Sequence, residues 1–175
     1  MVGDSGAGKT TMGKCFYNGP SSPFPIEPND IERLAAPLPT SEFHYFRGIS
    51  KAHYQDYNRI GVKIYDAGGE VLAGYGSVLQ QYYADSRGAM IVYDAHDRNS
   101  FERVKTFWYS EIQRVKSFVG KNLQTMVIAM TRAGEEAQVD MLTAQSWANG
   151  VGMQFCEVFD GKSCADAYQV LIEDM

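Results

Sequence analysis

Gly3-Asp4-Ser5-Gly6-Ala7-Gly8-Lys9-Thr10 opens the chain and matches the phosphate-cradling pattern G-x-x-x-x-G-K-[ST] at every fixed position. Glycines let the backbone wrap closely round a polyphosphate and aim successive N–H groups at its oxygens. Lys9 adds a cation between the outer phosphates, and the Thr10 hydroxyl is suited to Mg²⁺. The run Thr10 to Cys15 has no Pro and one Gly, and predicts a helix whose positive end faces the bound anion. Asp4, Ser5, Gly6, Ala7, Gly8, Lys9, Thr10 and Thr11 are therefore the candidate phosphate-binding run.

Working outward, strands and helices alternate. Phe43–Ala52 and Ile60–Asp66 read as strands. The apolar runs Ala89–Tyr93 and Thr125–Met130 read as strands buried on both faces of a parallel sheet. Between them Phe101, Val104, Trp108, Ile112 and Val115 recur at three- and four-residue steps, one helix stripe, with Asn99-Ser100 as its cap and Gly120 as its stop. A helix over about Asp140–Ala148, a strand Met153–Val158 and a helix from about Ser163 to the end complete the pattern. Such alternation behind a phosphate loop predicts one α/β domain over residues 1–175, with a mostly parallel sheet between two helix layers.

A phosphate loop normally follows a buried central strand, yet only Met1 and Val2 precede Gly3. The first strand thus looks truncated, and its loss would leave two neighbours unpaired along their edges. The expectation is a longer N-terminus or another segment in that slot. Gly19–Pro39 holds all six prolines and is the one long irregular stretch, the kind of loop that is usually functional or mobile.

A chain of 175 residues with 45% hydrophobic and 21% charged residues has the composition of a soluble globular domain. The net charge of −5, without a dense Lys/Arg run, argues against a nucleic-acid or anionic-membrane surface. Cys15, Cys156 and Cys164 have no metal-ligand spacing, and buried thiols fit them better than disulfides. No apolar run approaches membrane-spanning length. The chain closes on Ile172-Glu173-Asp174-Met175, without a prenylatable Cys, so no lipid anchor is expected in it.

Asp66-Ala67-Gly68-Gly69-Glu70 closes the strand Ile60–Asp66. An Asp at a strand end beside a phosphate loop can hold Mg²⁺ through water, and a following Gly can donate its N–H to the terminal phosphate. Together, Gly3–Thr10 and Asp66–Gly69 make the chain resemble the Ras-superfamily small GTPases. Gly3-Asp4-Ser5-Gly6 and the run from Gln81 to Asp94 are similar to the Rab branch in particular. The resemblance implies the P-loop GTPase fold with GTP or GDP and Mg²⁺ as cofactors. It places Lys9 on the phosphates, Thr10 on Mg²⁺, Asp66 on Mg²⁺ through water and the Gly69 N–H on the γ-phosphate. It also implies a switch-one Thr that reaches Mg²⁺ only in the triphosphate state. Thr40 is the candidate, with Ser41 as the alternative; the separation of Lys9 from Asp66 is longer than the family usually has, which leaves that register open.

The family pattern breaks at two places. Where it has a Gln that orients the attacking water, this chain has Glu70. A carboxylate lacks the amide's donor, and at an effective dielectric of about 20 two charges roughly 4–5 Å apart repel by about 3–4 kcal/mol. Slow hydrolysis is the expectation, with Glu70 pointing to solvent or acting as a new base. Where the family reads guanine with Asn-Lys-x-Asp, this chain has Thr131-Arg132-Ala133-Gly134. The Arg132 stem can still cover the base face, and Glu135, Glu136 or Asp160 are left as candidate carboxylates.

The Asp-x-Gly-Gly-acid form of Asp66–Glu70, the triplet Trp108-Tyr109-Ser110 and the run Met126 to Gly134 are similar to the atypical Rab-like subunits of the intraflagellar transport machinery, the Rab-like five type. That resemblance implies a cytoplasmic protein of cilium or flagellum with a coiled-coil partner in a transport complex. Tyr75, Tyr82 and Tyr83 are candidate contacts, or core residues. Three functions stay open: a nucleotide-dependent switch, a scaffold without a nucleotide cycle, and a small-molecule phosphotransferase. The last needs an arginine lid that Arg87, Arg98 and Arg103 do not form in sequence.

Overall fold

The computed structural model describes residues 1–18, 44–50, 60–66, 86–119 and 123–175. The Pro-rich stretch, Thr40, Ser41, Gly69, Glu70, Tyr75, Tyr82, Tyr83 and Gly120 lie outside the described residues.

The first helix, α1, runs over Lys9–Asn18 and begins inside the glycine-rich octet. β1 (His44–Ser50) and β2 (Ile60–Asp66) pair antiparallel, with His44 opposite Asp66. β3 (Gly88–Asp94), β4 (Gln124–Met130) and β5 (Gln154–Val158) form a parallel sheet in that order. The five central residues of both β3 and β4 are buried, which accounts for their unbroken apolar sequence.

Side chains leave that sheet alternately, and the two faces gather different helices. On one face Ile91, Tyr93, Val127 and Ala129 pack against Phe101, Val104, Trp108, Ile112, Ala144 and Ala148. These come from α2 (Arg98–Arg103), the turn that follows it, α3 (Tyr109–Val119) and α4 (Met141–Gly150). On the other face Met90, Val92, Met126 and Ile128 meet Met12 of α1 and Ala167, Tyr168 and Leu171 of α5 (Gly161–Glu173). Two apolar layers on one two-sided sheet make the three-layer α/β architecture expected of a P-loop GTPase.

The expected central strand is present as a stub. Val2 bridges Ile91 in parallel: its N–H donates to Met90 O at 2.9 Å, and its carbonyl accepts from Val92 N at 2.8 Å. The Met1 amine donates to Tyr65 O at 2.6 Å. Met1 and Val2 therefore lie between β2 and β3, so the edges expected to stay unpaired are bridged here.

Two helix starts differ from the expectation. α2 is capped by Asp97, whose carboxylate accepts from Asn99 N, instead of by Asn99-Ser100. α5 starts at Gly161, ahead of Ser163, because Asp160 and Ser163 form a reciprocal capping box. The stripe from Phe101 to Val115 is also not one regular α-helix. Val104–Trp108 forms a π turn between α2 and α3, with Val104 and Trp108 both fully buried.

Candidate functional site

Strand register gathers the site at the carboxyl ends of the sheet. Asp94 stands opposite Met130, and Met130 opposite Val158, so the loops after β3, β4 and β5 leave the sheet side by side. The octet joins them because Val2 is held against β3, and Asp66 ends β2 at the same edge.

Within the octet Gly3, Gly6 and Gly8 have φ of 146°, 78° and 97°, in the region that favours glycine. A Cβ on Gly3 would lie 2.1 Å from the Val92 carbonyl oxygen, the same strand that holds the stub. Gly3→Ala is therefore expected to dislodge the loop. Backbone strain alone costs roughly 1–3 kcal/mol, so the thermal midpoint should fall by several degrees. Thermal unfolding followed by circular dichroism checks this; an unchanged midpoint would show that the loop does not depend on the stub.

Lys9 is buried, and its ammonium donates to the carbonyls of Gly3 at 2.9 Å and Asp4 at 2.7 Å. Burial pulls its pKa below the usual lysine value, opposed by the Asp66 and Asp4 carboxylates. A polyphosphate in the loop would offset that desolvation. Next to it the Thr10 hydroxyl donates to Asp66 Oδ2 at 2.7 Å. Asp66 is 2% exposed, and its second oxygen, Oδ1, has no hydrogen-bond partner among the described residues. A buried carboxylate oxygen without a donor is costly, and a hard divalent cation beside a hydroxyl ligand would satisfy it. These residues fit Mg²⁺.

Asp4 has a role that sequence reading missed. Its Oδ1 accepts from Arg103 Nε at 2.7 Å and from the Trp108 indole N–H at 2.9 Å. Asp4 thus ties the phosphate loop to α2 and to the π turn, and Arg103 offsets its negative charge within the loop. Arg103→Ala should weaken nucleotide binding about two- to fivefold, as expected for a partly exposed pair. Adding Asp4→Asn should restore it, because the amide keeps an acceptor for the indole and removes the charge. Titrations of the two single variants and the double variant at low ionic strength check this; absence of rescue would reduce Arg103 to a packing role.

Beside the loop lies a cavity of about 250 Å³. Its floor is Gly6, Ala7, Gly8 and Thr11, and its far wall carries Asp94, Thr131, Arg132 and Asp160. Arg132 is fixed there: it pairs with Asp94 Oδ2, reaches Glu135 Oε2 at 2.6 Å, and donates its backbone N–H to His96 Nε2 at 3.0 Å. Glu135 is thereby held by Arg132, and neither Glu135 nor Glu136 lines the cavity. Asp160 does line it, but its Oδ1 already accepts from Ser163 N at 2.7 Å and Ser163 Oγ at 2.8 Å. The Ser163 bonds lower its pKa. Asp4 and Ser5 belong to the loop without lining the cavity. Among the described residues no group of three or more His, Cys, Asp or Glu forms a separate metal site. Among them, too, no helix is long and apolar enough to cross a membrane.

The Ras family model matches residues 41–174. The chain belongs to the Ras family. Since that match starts beyond the octet, the phosphate loop and the matched segment point the same way separately. The similar proteins are of Rab and Ypt type. Ras-related protein RABD2a of Arabidopsis thaliana is 30% identical over 104 residues, covering 59% of this chain and 48% of its own length. Ras-related protein Rab-1D of Dictyostelium discoideum is 30% identical over 103 residues, covering 58% and 48%. GTP-binding protein ypt2 of Schizosaccharomyces pombe is 25% identical over 158 residues, covering 90% of this chain and 68% of its own. The chain thus spans about half the length of two of these curated relatives and about two thirds of the third. This Ras-family chain has the P-loop GTPase fold, with Lys9, Thr10 and Asp66 brought together at one sheet edge.

Proposed function

We propose that this chain is a Rab-type guanine-nucleotide-binding protein. The observation that carries the reading is the pairing of buried Lys9 on the loop carbonyls with Thr10 on the half-satisfied carboxylate of Asp66. Loop amides and Lys9 hold the phosphates, the first turn of α1 faces them, and Asp94, Thr131, Arg132 and Asp160 border the space for ribose and base. Thr10 would hold Mg²⁺ directly and Asp66 through water, as the family resemblance implies, and the ion would neutralise phosphate charge. The Gly69 N–H on the γ-phosphate, and Thr40 or else Ser41 on Mg²⁺, would distinguish triphosphate from diphosphate.

Hydrolysis is slow in this reading, because Glu70 replaces the amide that orients water. The finer assignment is to the intraflagellar transport type, supported by the likeness of Asp66–Glu70, Trp108–Ser110 and Met126–Gly134. A coiled-coil transport subunit in cilium or flagellum is then the partner, with Tyr75, Tyr82 and Tyr83 among the contacts. A scaffold reading without a nucleotide cycle is favoured by Glu70 and by the absence of an acidic residue at Gly134.

The test is the nucleotide that copurifies with the full chain, followed by a single-turnover hydrolysis trace. Guanine nucleotide with slow turnover fits the proposal. Retained GTP with no turnover selects the scaffold, and adenine nucleotide overturns the guanine assignment.

A further inference from the structure

Two thiols meet on the wall of the cavity. Cys15 on α1 and Cys164 on α5 both line it, although each is largely buried. Their contacts are reciprocal. Cys15 Sγ donates to Gly161 O at 3.6 Å, three residues ahead of Cys164. Cys164 Sγ reaches Met12 O at 3.8 Å, three residues ahead of Cys15, and lies 3.6 Å from Met12 Sδ. Each thiol is thus aimed at the helix that carries the other, and α1 and α5 pack together along this stretch. Cys156, on β5, does not line the cavity.

We propose that Cys15 and Cys164 are a reactive dithiol opening onto the nucleotide cavity, which closes to a disulfide with a small organic disulfide when the cavity is empty and is shielded when nucleotide fills it. The shielding part rests on the nucleotide-binding reading; the closure itself does not. Cys15 acts first, because the neighbouring Cys164 thiol lowers its pKa, while the Cys15 sulfur and then burial raise the pKa of Cys164. The Cys15 thiolate attacks one sulfur of the reagent, forming a mixed disulfide and expelling one thiolate. Cys164 then attacks the Cys15 sulfur and expels the second. Both protein protons end on the two released thiols, and the organic disulfide is the oxidant. The product is one cross-link between the helix bearing Lys9 and Thr10 and the helix capped by Asp160.

The experiment uses the full chain, reduced and stripped of nucleotide, with cystamine as the probe. Disulfide mapping by mass spectrometry should find a Cys15–Cys164 cross-linked peptide and two cysteamines released per chain. In Cys164→Ser the expected product is a stable cysteamine adduct on Cys15, and Cys156→Ser should close like the parent. Adducts confined to Cys156, or a lasting adduct on Cys15 in the parent, would overturn the proposal. Preloading with GDP and Mg²⁺ should slow closure at least tenfold, with retained nucleotide measured separately. Equal rates in protein that does retain nucleotide would overturn the shielding. A chain that retains none would instead refute the nucleotide reading, while the cross-link still decides the dithiol.

Discussion

Lys9→Ala is expected to lower the affinity for GDP·Mg²⁺ by about 100-fold or more without unfolding the chain. The ammonium sits inside the loop on two carbonyls, from where it would donate to phosphate oxygens bound in the loop. Charge-assisted hydrogen bonds contribute roughly 1.5–3 kcal/mol each, and two of them correspond to about two to four decades in binding. The same substitution leaves the Gly3 and Asp4 carbonyls and the buried Asp66 carboxylate without that cation, so a lower thermal midpoint is expected beside the loss of affinity. Fluorescent-nucleotide titration beside a thermal melt separates the two effects. An affinity within threefold of the parent, with the fold intact, would show that Lys9 is a structural cation of the loop and nothing more.

The second large effect concerns Asp66. Asp66→Asn should abolish the Mg²⁺ dependence of nucleotide binding. In the parent, chelating Mg²⁺ should speed nucleotide release at least tenfold, since the ion contributes several kcal/mol of charge stabilisation at phosphates. In the variant, release should be fast with or without chelator. The amide oxygen can still accept the Thr10 hydroxyl, and the unmatched charged oxygen is gone, so the free protein should be as stable as the parent or more so. Stopped-flow release with and without EDTA measures this. A variant that still responds to EDTA like the parent would place the ion elsewhere.

Much of this site was legible because its chemistry is local. The octet needs no tertiary partner to be read, and the apolar runs Ala89–Tyr93 and Thr125–Met130 name the two strands buried on both faces. What escaped depends on packing. The stripe from Phe101 to Val115 has ordinary helix spacing, so nothing in it announces the π turn that delivers Trp108 to Asp4. Arg103 looked isolated because its partner lies near the other end of the chain. Glu135 was a candidate for the base and is instead held by Arg132, a choice made by the rotamer of a neighbour. Asp160 was legible as a polar residue after β5, but its carboxylate is largely committed to the cap of α5. Cys15 and Cys164 meet only because the sheet places the first and last helices on one face.

These two variants share one premise: the glycine-rich turn, Lys9, Thr10 and Asp66 form a single magnesium-nucleotide site. Calorimetric titration of GDP into the stripped full chain tests it most directly, run once with Mg²⁺ and once with EDTA. The account predicts one site per chain, micromolar or tighter with Mg²⁺ and at least tenfold weaker without it. No heat of binding at millimolar GDP in a folded chain would contradict it.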